Sequence, residues 1–228
     1  MNKTRRIVGL ITKSGVLMKL YDSKLAPNPR RVRIFMAEKG ISCDQVQIDI
    51  VKGENLTAEF LAINPRGVLP TLVLDNGTVL DESVAICRYF EEIQPEPPMM
   101  GSDPISKAQV EARQRHMELD GLTGAAEVFR NSFPGFADRG LPGNIGTTPA
   151  IPALVERGKA RLTNFYTNLN VYLKTNEFVA GENFSIADIT ALCAVDFGAG
   201  AARVPFEEKH TELQRWHATV SSRPSSQA

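Results

Sequence analysis

The segment with the most chemistry in it is Asn64-Pro-Arg-Gly-Val-Leu-Pro70-Thr-Leu. Pro70 stands where a strand pattern begins, and a proline has no N–H to give to a ladder, so it marks a strand edge or a special turn. A Leu-Pro bond is as a rule trans and structural. If the Leu69–Pro70 bond is cis, Leu69 turns its backbone N–H and C=O outward, and those two groups can pair with an extended peptide as an added strand would. About a dozen residues later comes Asp81-Glu82-Ser83 at a predicted helix start. The free N–H groups and positive dipole end of a helix favour an anion there. Ser83 can donate to a carboxylate and Glu82 can accept from an ammonium, so the pair suits an amino-acid head group. The plainer alternative is N-capping of the helix by Asp81 or Ser83.

The elements that must position these residues follow from pattern. Leu17–Tyr21 is a short apolar run that reads as a first strand, and a turn-like stretch with two prolines follows it. From Arg30 the apolar positions Val32, Ile34, Phe35 and Met36 predict a helix that Gly40 ends. Residues 45–50 alternate as a strand does. Two more strands flank Asp75-Asn-Gly77, with turn chemistry in place. A helix opening at Asp81 then carries Ile86, Tyr89, Phe90 and Ile93 on one face. The order βαβ–ββα predicts an α/β thioredoxin-like domain over 18–94. A proline-rich linker is expected at 95–104 and an all-helical domain at 105–228. Within the latter, Pro134–Pro152 reads as an irregular loop. Ser185-Ile-Ala-Asp188 has the form of a capping box, and Glu207–Val220 carries Trp216 on the inner face of a further helix. Residues 1–17 are expected to be a flexible extension.

Bulk properties narrow the function classes. Lys plus Arg number 26 and Asp plus Glu number 26, a formal charge of zero over 228 residues. That balance argues against a nucleic-acid partner, which requires a basic surface. No apolar run approaches the roughly 18 residues that span a bilayer, so no membrane partner is expected, and the short apolar stretch near the N-terminus falls short of a signal-peptide core. Cys43, Cys87 and Cys193 fit no metal-ligand or CxxC spacing and read as reduced thiols in a reducing compartment, and the three histidines are scattered.

The stretch NPRGVLPTLVLDNGTVLDESVAICRYFEE resembles the glutathione-site core of the cytosolic glutathione transferases, and the resemblance runs from about Met18 to Pro224. It implies glutathione as co-substrate, no metal or redox cofactor, a cytoplasmic homodimer, and attack of the glutathione thiolate on a small apolar electrophile or a peroxide. It assigns Leu69, ahead of Pro70, to the cysteinyl backbone of glutathione and Glu82 and Ser83 to its γ-glutamyl end. Lys52 and Asn55 are the nearest candidates for its glycyl carboxylate. The chain departs from the family at the sulfur: the usual catalytic Tyr, Ser or Cys position falls on Ala26. The segment SKLAPNPRRVRI is similar to an atypical subgroup in which a water held by polar side chains of the second domain's first helix assists deprotonation; the matching positions are Ala126 and Arg130. Cations and helix N-termini also lower a thiol pKa, so Arg130 and Arg30 are the candidate cations and Ser23 and Asn28 the candidate donors. Phe129, Phe133 and Phe136 could wall a pocket for apolar electrophiles or belong to the core. Two rival functions follow: a glutathione-binding carrier without catalysis, favoured by Ala26, and a thiol–disulfide transferase, which wants a cysteine near the first helix, whereas Cys43 lies after it.

Overall fold

In the computed structural model residues 18–228 are described; the extension expected at 1–17 lies outside them. Strand β1 (Lys19–Asp22) pairs in parallel with β2 (Asp44–Gln47) and antiparallel with β3 (Thr71–Val73), which pairs antiparallel with β4 (Val79–Asp81). The sheet order is therefore β2-β1-β3-β4. Leu20 faces Leu72 across the β1–β3 pair and both are fully buried. Strand β2 stops three residues short of the alternating pattern. Asp49 turns the chain there: its carboxylate accepts from the N–H of Val51 and Lys52, and its own N–H donates to Glu54 Oε2.

Helix α1 (Pro27–Lys39) begins three residues before its apolar pattern, because a proline at N1 is pre-set for a helix and loses no hydrogen bond. It ends on Gly40 at φ 65°, where the glycine N–H reaches the carbonyls of Met36 and Ala37. Its apolar residues pack on the sheet and on α3 (Ser83–Ile93), the short α2 (Ala58–Leu61) lying between β2 and β3, while its other side meets α7 (Ile186–Gly200) of the helical part. Helix α3 opens at Ser83, not at Asp81, which closes β4; Glu82 is the N-cap, at φ 65°.

Lys39 holds the proline-rich connection. Its ammonium pairs with Glu91 at 2.5 Å and donates to the carbonyls of Gln94, Pro95 and Pro97. Helix α4 (Pro104–His116), a π-helical turn at Met117–Leu122 and helix α5 (Thr123–Ser132) then run on without a break. Gly121 in the π turn sits where a Cβ would come within 2.8 Å of the Phe165 ring and 2.9 Å of Ala194, so α6 (Pro152–Tyr172) and α7 close directly on its backbone. The fully buried Arg31 of α1 pairs with Glu118 of the same turn at 3.1 Å and ties the two halves together.

Helix α7 carries the capping box at Ser185, whose hydroxyl accepts from the Ala187 N–H while Asp188 accepts from the Ser185 N–H. Asp188 also accepts from the Val179 N–H and from Trp216 Nε1 on α8 (Thr211–Ser221), and both Asp188 and Trp216 are fully buried. The tail beyond α8 forms a 3-10 turn at Pro224–Gln227, docked on α1: Arg223 makes two bonds of 2.8 Å to Glu38, and the Ser225 hydroxyl joins them.

Candidate functional site

The Leu69–Pro70 peptide is cis. The loop before it is tied internally. Asn64 Nδ2 donates to Thr71 Oγ1 at 2.8 Å, Thr71 Oγ1 donates to the Val68 carbonyl at 2.9 Å, and Asn55 Nδ2 donates to the Gly67 carbonyl at 2.7 Å. Leu69 alone is left open: among the described residues neither its N–H nor its C=O has a hydrogen-bond partner. The β3–β4 register pairs Thr71 with Asp81. Pro70 and Glu82 are the residues next beyond that pair, one on each strand.

Glu82 makes no side-chain cap to α3, so the first-turn amides of that helix keep their anion-binding capacity. Ser83 is 4% exposed, and its hydroxyl has no partner among the described residues. Sequence reasoning missed Arg66, whose Nη1 donates to Glu82 Oε1 at 2.8 Å and to Asp81 Oδ2 at 3.1 Å. The only trace of it in the sequence is its place in Asn-Pro-Arg-Gly; the contact spans sixteen residues. The cation fixes one face of the Glu82 carboxylate and leaves Oε2 to accept from a ligand.

The two residues expected at the glycyl end differ in setting. Lys52 is a surface side chain paired with Asp49 at 3.2 Å. Asn55 is buried; its amide N–H holds the Gly67 carbonyl, and its Oδ1 has no partner among the described residues.

At the start of α1, where the resemblance leads one to expect the sulfur, Ala26 is the N-cap and caps nothing. Pro27 and Pro29 carry no N–H, the Ala26 N–H donates to the Ser23 carbonyl, and the Arg30 N–H donates back to Ala26. The Asn28 N–H is therefore the one first-turn amide still presented. Ser23 is 6% exposed and its hydroxyl, like that of Ser83, has no partner among the described residues. Asn28 Oδ1 accepts from Arg31 Nη2 at 2.8 Å. Arg30 turns to the helical part, where it pairs with Asp196 at 2.6 Å and donates to the Ser226 carbonyl; Asp196 also bonds His217 at 2.6 Å. Its charge is thus matched by Asp196. Arg130 donates to the carbonyls of Arg139 and Leu141 and stacks on Phe136.

Phe129 joins Phe133, Phe136 and Phe197 with ring centroids 5.2 to 5.4 Å apart. Phe136 is core, at 2% exposed, whereas Phe133 is 39% exposed and forms the open end of the cluster. None of the cysteines is prepared for nucleophilic work. Burial pushes the thiols of Cys43 and Cys193 up to about 11 and that of Cys87 higher still. Among the described residues no group of His, Cys, Asp and Glu could hold a metal ion, and no helix is long and apolar enough to cross a membrane.

Comparison with known proteins bears on this arrangement. Residues 20–98 match the family model for the glutathione S-transferase N-terminal domain, and residues 146–224 that for the C-terminal domain. Over 95% of its length the chain is 31% identical to glutathione S-transferase 2 of Saccharomyces cerevisiae, covering 92% of that protein. The chain belongs to the glutathione S-transferase family. Solved glutathione S-transferase structures superpose along nearly the whole chain. One is a glutathione S-transferase domain-containing protein of Marinobacter aquaeolei, with a TM-score of 0.82, 32% identity, and 91% of this chain and 98% of that one covered. Another is Gtt2 of Saccharomyces cerevisiae, with a TM-score of 0.82, 30% identity and coverages of 92% and 98%. Both domains of the glutathione S-transferase architecture, the thioredoxin-like sheet with its helices and the helical bundle, are present here in that order.

Proposed function

We propose that the protein is a glutathione transferase that binds glutathione along the outer edge of β3 and α3 and directs its sulfur to the N-terminus of α1. The observation that carries this reading is the unpaired Leu69 backbone, two residues before β3, together with the uncapped start of α3, two residues after β4. Leu69 pairs with the cysteinyl backbone, Ser83 and the first-turn amides of α3 take the γ-glutamyl carboxylate, and Glu82, steadied by Arg66, takes its ammonium. Lys52, and Asn55 through its unpartnered Oδ1, lie towards the glycyl end.

Ser23, the Asn28 N–H and Arg130, the last acting through water, are the groups we assign to the thiolate. A helix end and one cation lower a thiol pKa by about one to two units. The thiolate then forms a C–S bond to the electrophilic carbon, the leaving group departs with the bonding electrons, and the thiol proton has already passed to solvent. Positioning and thiolate stabilisation supply the rate, with no step through a metal or redox cofactor. The second substrate lies against Phe129 and Phe133 and is a small apolar electrophile. The family's usual state, a cytoplasmic homodimer working in detoxification, is part of the same reading. The raised thiols weigh against thiol–disulfide transfer, leaving a glutathione-binding carrier as the competing reading, for which Ala26 speaks.

The test is the ultraviolet absorbance of the glutathione thiolate on the protein across pH, together with conjugation of 1-chloro-2,4-dinitrobenzene. A bound pKa well below the free value with turnover is expected. Binding with an unshifted pKa and no turnover would establish the carrier, and no binding would refute both.

A further inference from the structure

Residues 137–151, inside the stretch whose composition reads as an irregular loop, form a strap between the two domains. None of their side chains is buried, so core packing does not hold the strap in place. Hydrogen bonds do. Within it the N–H groups of Gly140 and Ala150 donate to the carbonyls of Thr148 and Ala137, both at 2.7 Å, and the Thr148 N–H donates to Asp138 at 2.9 Å. At its root Arg130 of α5 donates to the carbonyls of Arg139 and Leu141. The strap then crosses to the thioredoxin-like domain at two places. Arg139 donates to the carbonyls of Ile50 and Val51, each at 2.8 Å. Farther along, the Asn144 N–H donates to the Arg66 carbonyl at 2.7 Å, and Asn144 Nδ2 donates to Pro65 at 3.3 Å. This second crossing is backbone on backbone. Gly143 has φ 92°, and a Cβ on it would lie 2.7 Å from the Arg66 carbonyl oxygen and 3.2 Å from Val68 Cγ1.

The residue gripped at that crossing is Arg66. Its N–H donates to Asn64 Oδ1 at 3.0 Å and its carbonyl accepts from Asn144, so its backbone is held on both sides. Its guanidinium in turn meets Glu82 and Asp81. The Arg66 and Glu82 side chains are 58% and 61% exposed. An exposed ion pair gains little by itself, because ordering two long side chains offsets most of the attraction. Fixing the backbone under one partner removes part of that ordering cost before any ligand arrives. A loop of this length, ordered by hydrogen bonds to the other domain without burying a side chain, is the kind that carries function.

We propose that the strap is a positioning device for the Glu82 end of the glutathione site. Gly143 and Asn144 clamp Arg66, and Arg66 sets the Glu82 carboxylate for the ammonium of the ligand; Arg139 is the strap's second anchor. Gly143, Asn144 and Arg139 are positioning residues that act through Arg66, without touching the ligand. A loop of the helical domain thereby sets how well the thioredoxin-like domain recognises a charged amino group. The inference rests on the transferase reading, which gives Glu82 to the ammonium.

Calorimetric titration of the full chain with glutathione and with N-glutaryl-cysteinylglycine, which keeps every group of glutathione except the ammonium, tests that end alone. Wild type should bind glutathione about tenfold or more tightly than the analogue. Gly143→Ala, whose Cβ pushes the strap off Arg66, should bring the two within about threefold while changing the analogue's own affinity by less than about twofold. Arg139→Gln frees the other anchor and should narrow the gap in the same way; Arg139→Lys, which keeps a donor for one of the carbonyls, should recover part of it. Ile145→Ala alters an exposed strap side chain outside these ties and should keep the full gap. A full gap in Gly143→Ala, or an equal loss of both ligands, overturns the inference and leaves the transferase reading standing. Equal binding of the two ligands to wild type also overturns it, because Glu82 then holds no ammonium. Should Gly143→Ala fail to fold, Arg139→Gln decides by the same criteria. If wild type does not bind glutathione, the transferase reading fails and the inference with it.

Discussion

Replacing Ala26 by Ser restores a hydroxyl at the N-cap of α1, and the local geometry sets what it can do. Ala26 is already in the extended conformation of an N-cap, φ −86° and ψ 137°, so the serine fits without rearrangement. An N-cap oxygen ordinarily accepts from the N2 or N3 amide. Here N3 is Pro29 and has none, which leaves the unbonded Asn28 N–H as its single target. The hydroxyl can accept from Asn28 while its proton points at a bound sulfur, so the two roles do not compete. The cap is expected to add about 1 kcal/mol to unfolding free energy. A hydrogen bond to a charged group is worth about 1.5–3 kcal/mol, which lowers the thiol pKa of bound glutathione by about one to two units. The assays are urea unfolding and thiolate absorbance across pH, run on wild type and Ala26→Ser in parallel. A stability gain without a pKa change would mean that the serine caps the helix but the sulfur lies elsewhere. That result would refute the placement of glutathione given above.

Ser83→Ala is expected to weaken glutathione binding about tenfold and to move unfolding free energy by less than about 0.5 kcal/mol, because the hydroxyl has no partner within the described chain. Calorimetry and urea unfolding of one preparation check both halves. Asp188→Ala strands three N–H donors, those of Val179, Ser185 and Trp216 Nε1, and at about 1–3 kcal/mol each should cost at least about 3 kcal/mol; a loss under about 1 kcal/mol in denaturant would contradict the network. Burial pushes the Glu38 carboxyl up, but its bonds to Arg223 and Ser225 outweigh this and hold its pKa below 4.5. Its stabilisation of the docked tail is therefore present above the unfolded pKa and is lost as pH falls through the lower folded value. The urea midpoint of Glu38→Gln should accordingly fall below that of wild type at neutral pH and converge on it in acid; a gap that persists at low pH would assign the tail's hold to something other than this carboxylate.

What could be read from the chain and what could not divide along sequence separation. Gly40 ending α1, the turn at 75–77 and the Ser185 box are signals within three or four residues, where a side chain meets backbone it is covalently bound to be near. Asp49 shows the limit of periodicity even there: the alternation of Val46, Ile48 and Ile50 reads as a strand to residue 50, yet one carboxylate closing on its own following amides ends the strand at Gln47. The unreadable ties are long. Glu38 meets Arg223 across 185 residues, Arg30 meets Asp196 across 166 and Arg139 meets Ile50 across 89. A lone Arg or Glu gives no sign of which distant group it will face, so Arg30 read as a free cation until Asp196 was beside it. The same asymmetry shaped the site. Pro70 and Ser83 announce themselves because proline and a helix-start serine are locally unusual, while Arg66 and Arg139 look like surface charge. The cis proline and the helix start could thus be named in advance, whereas the charge partners, Arg66 for Glu82 and Asp196 for Arg30, could not.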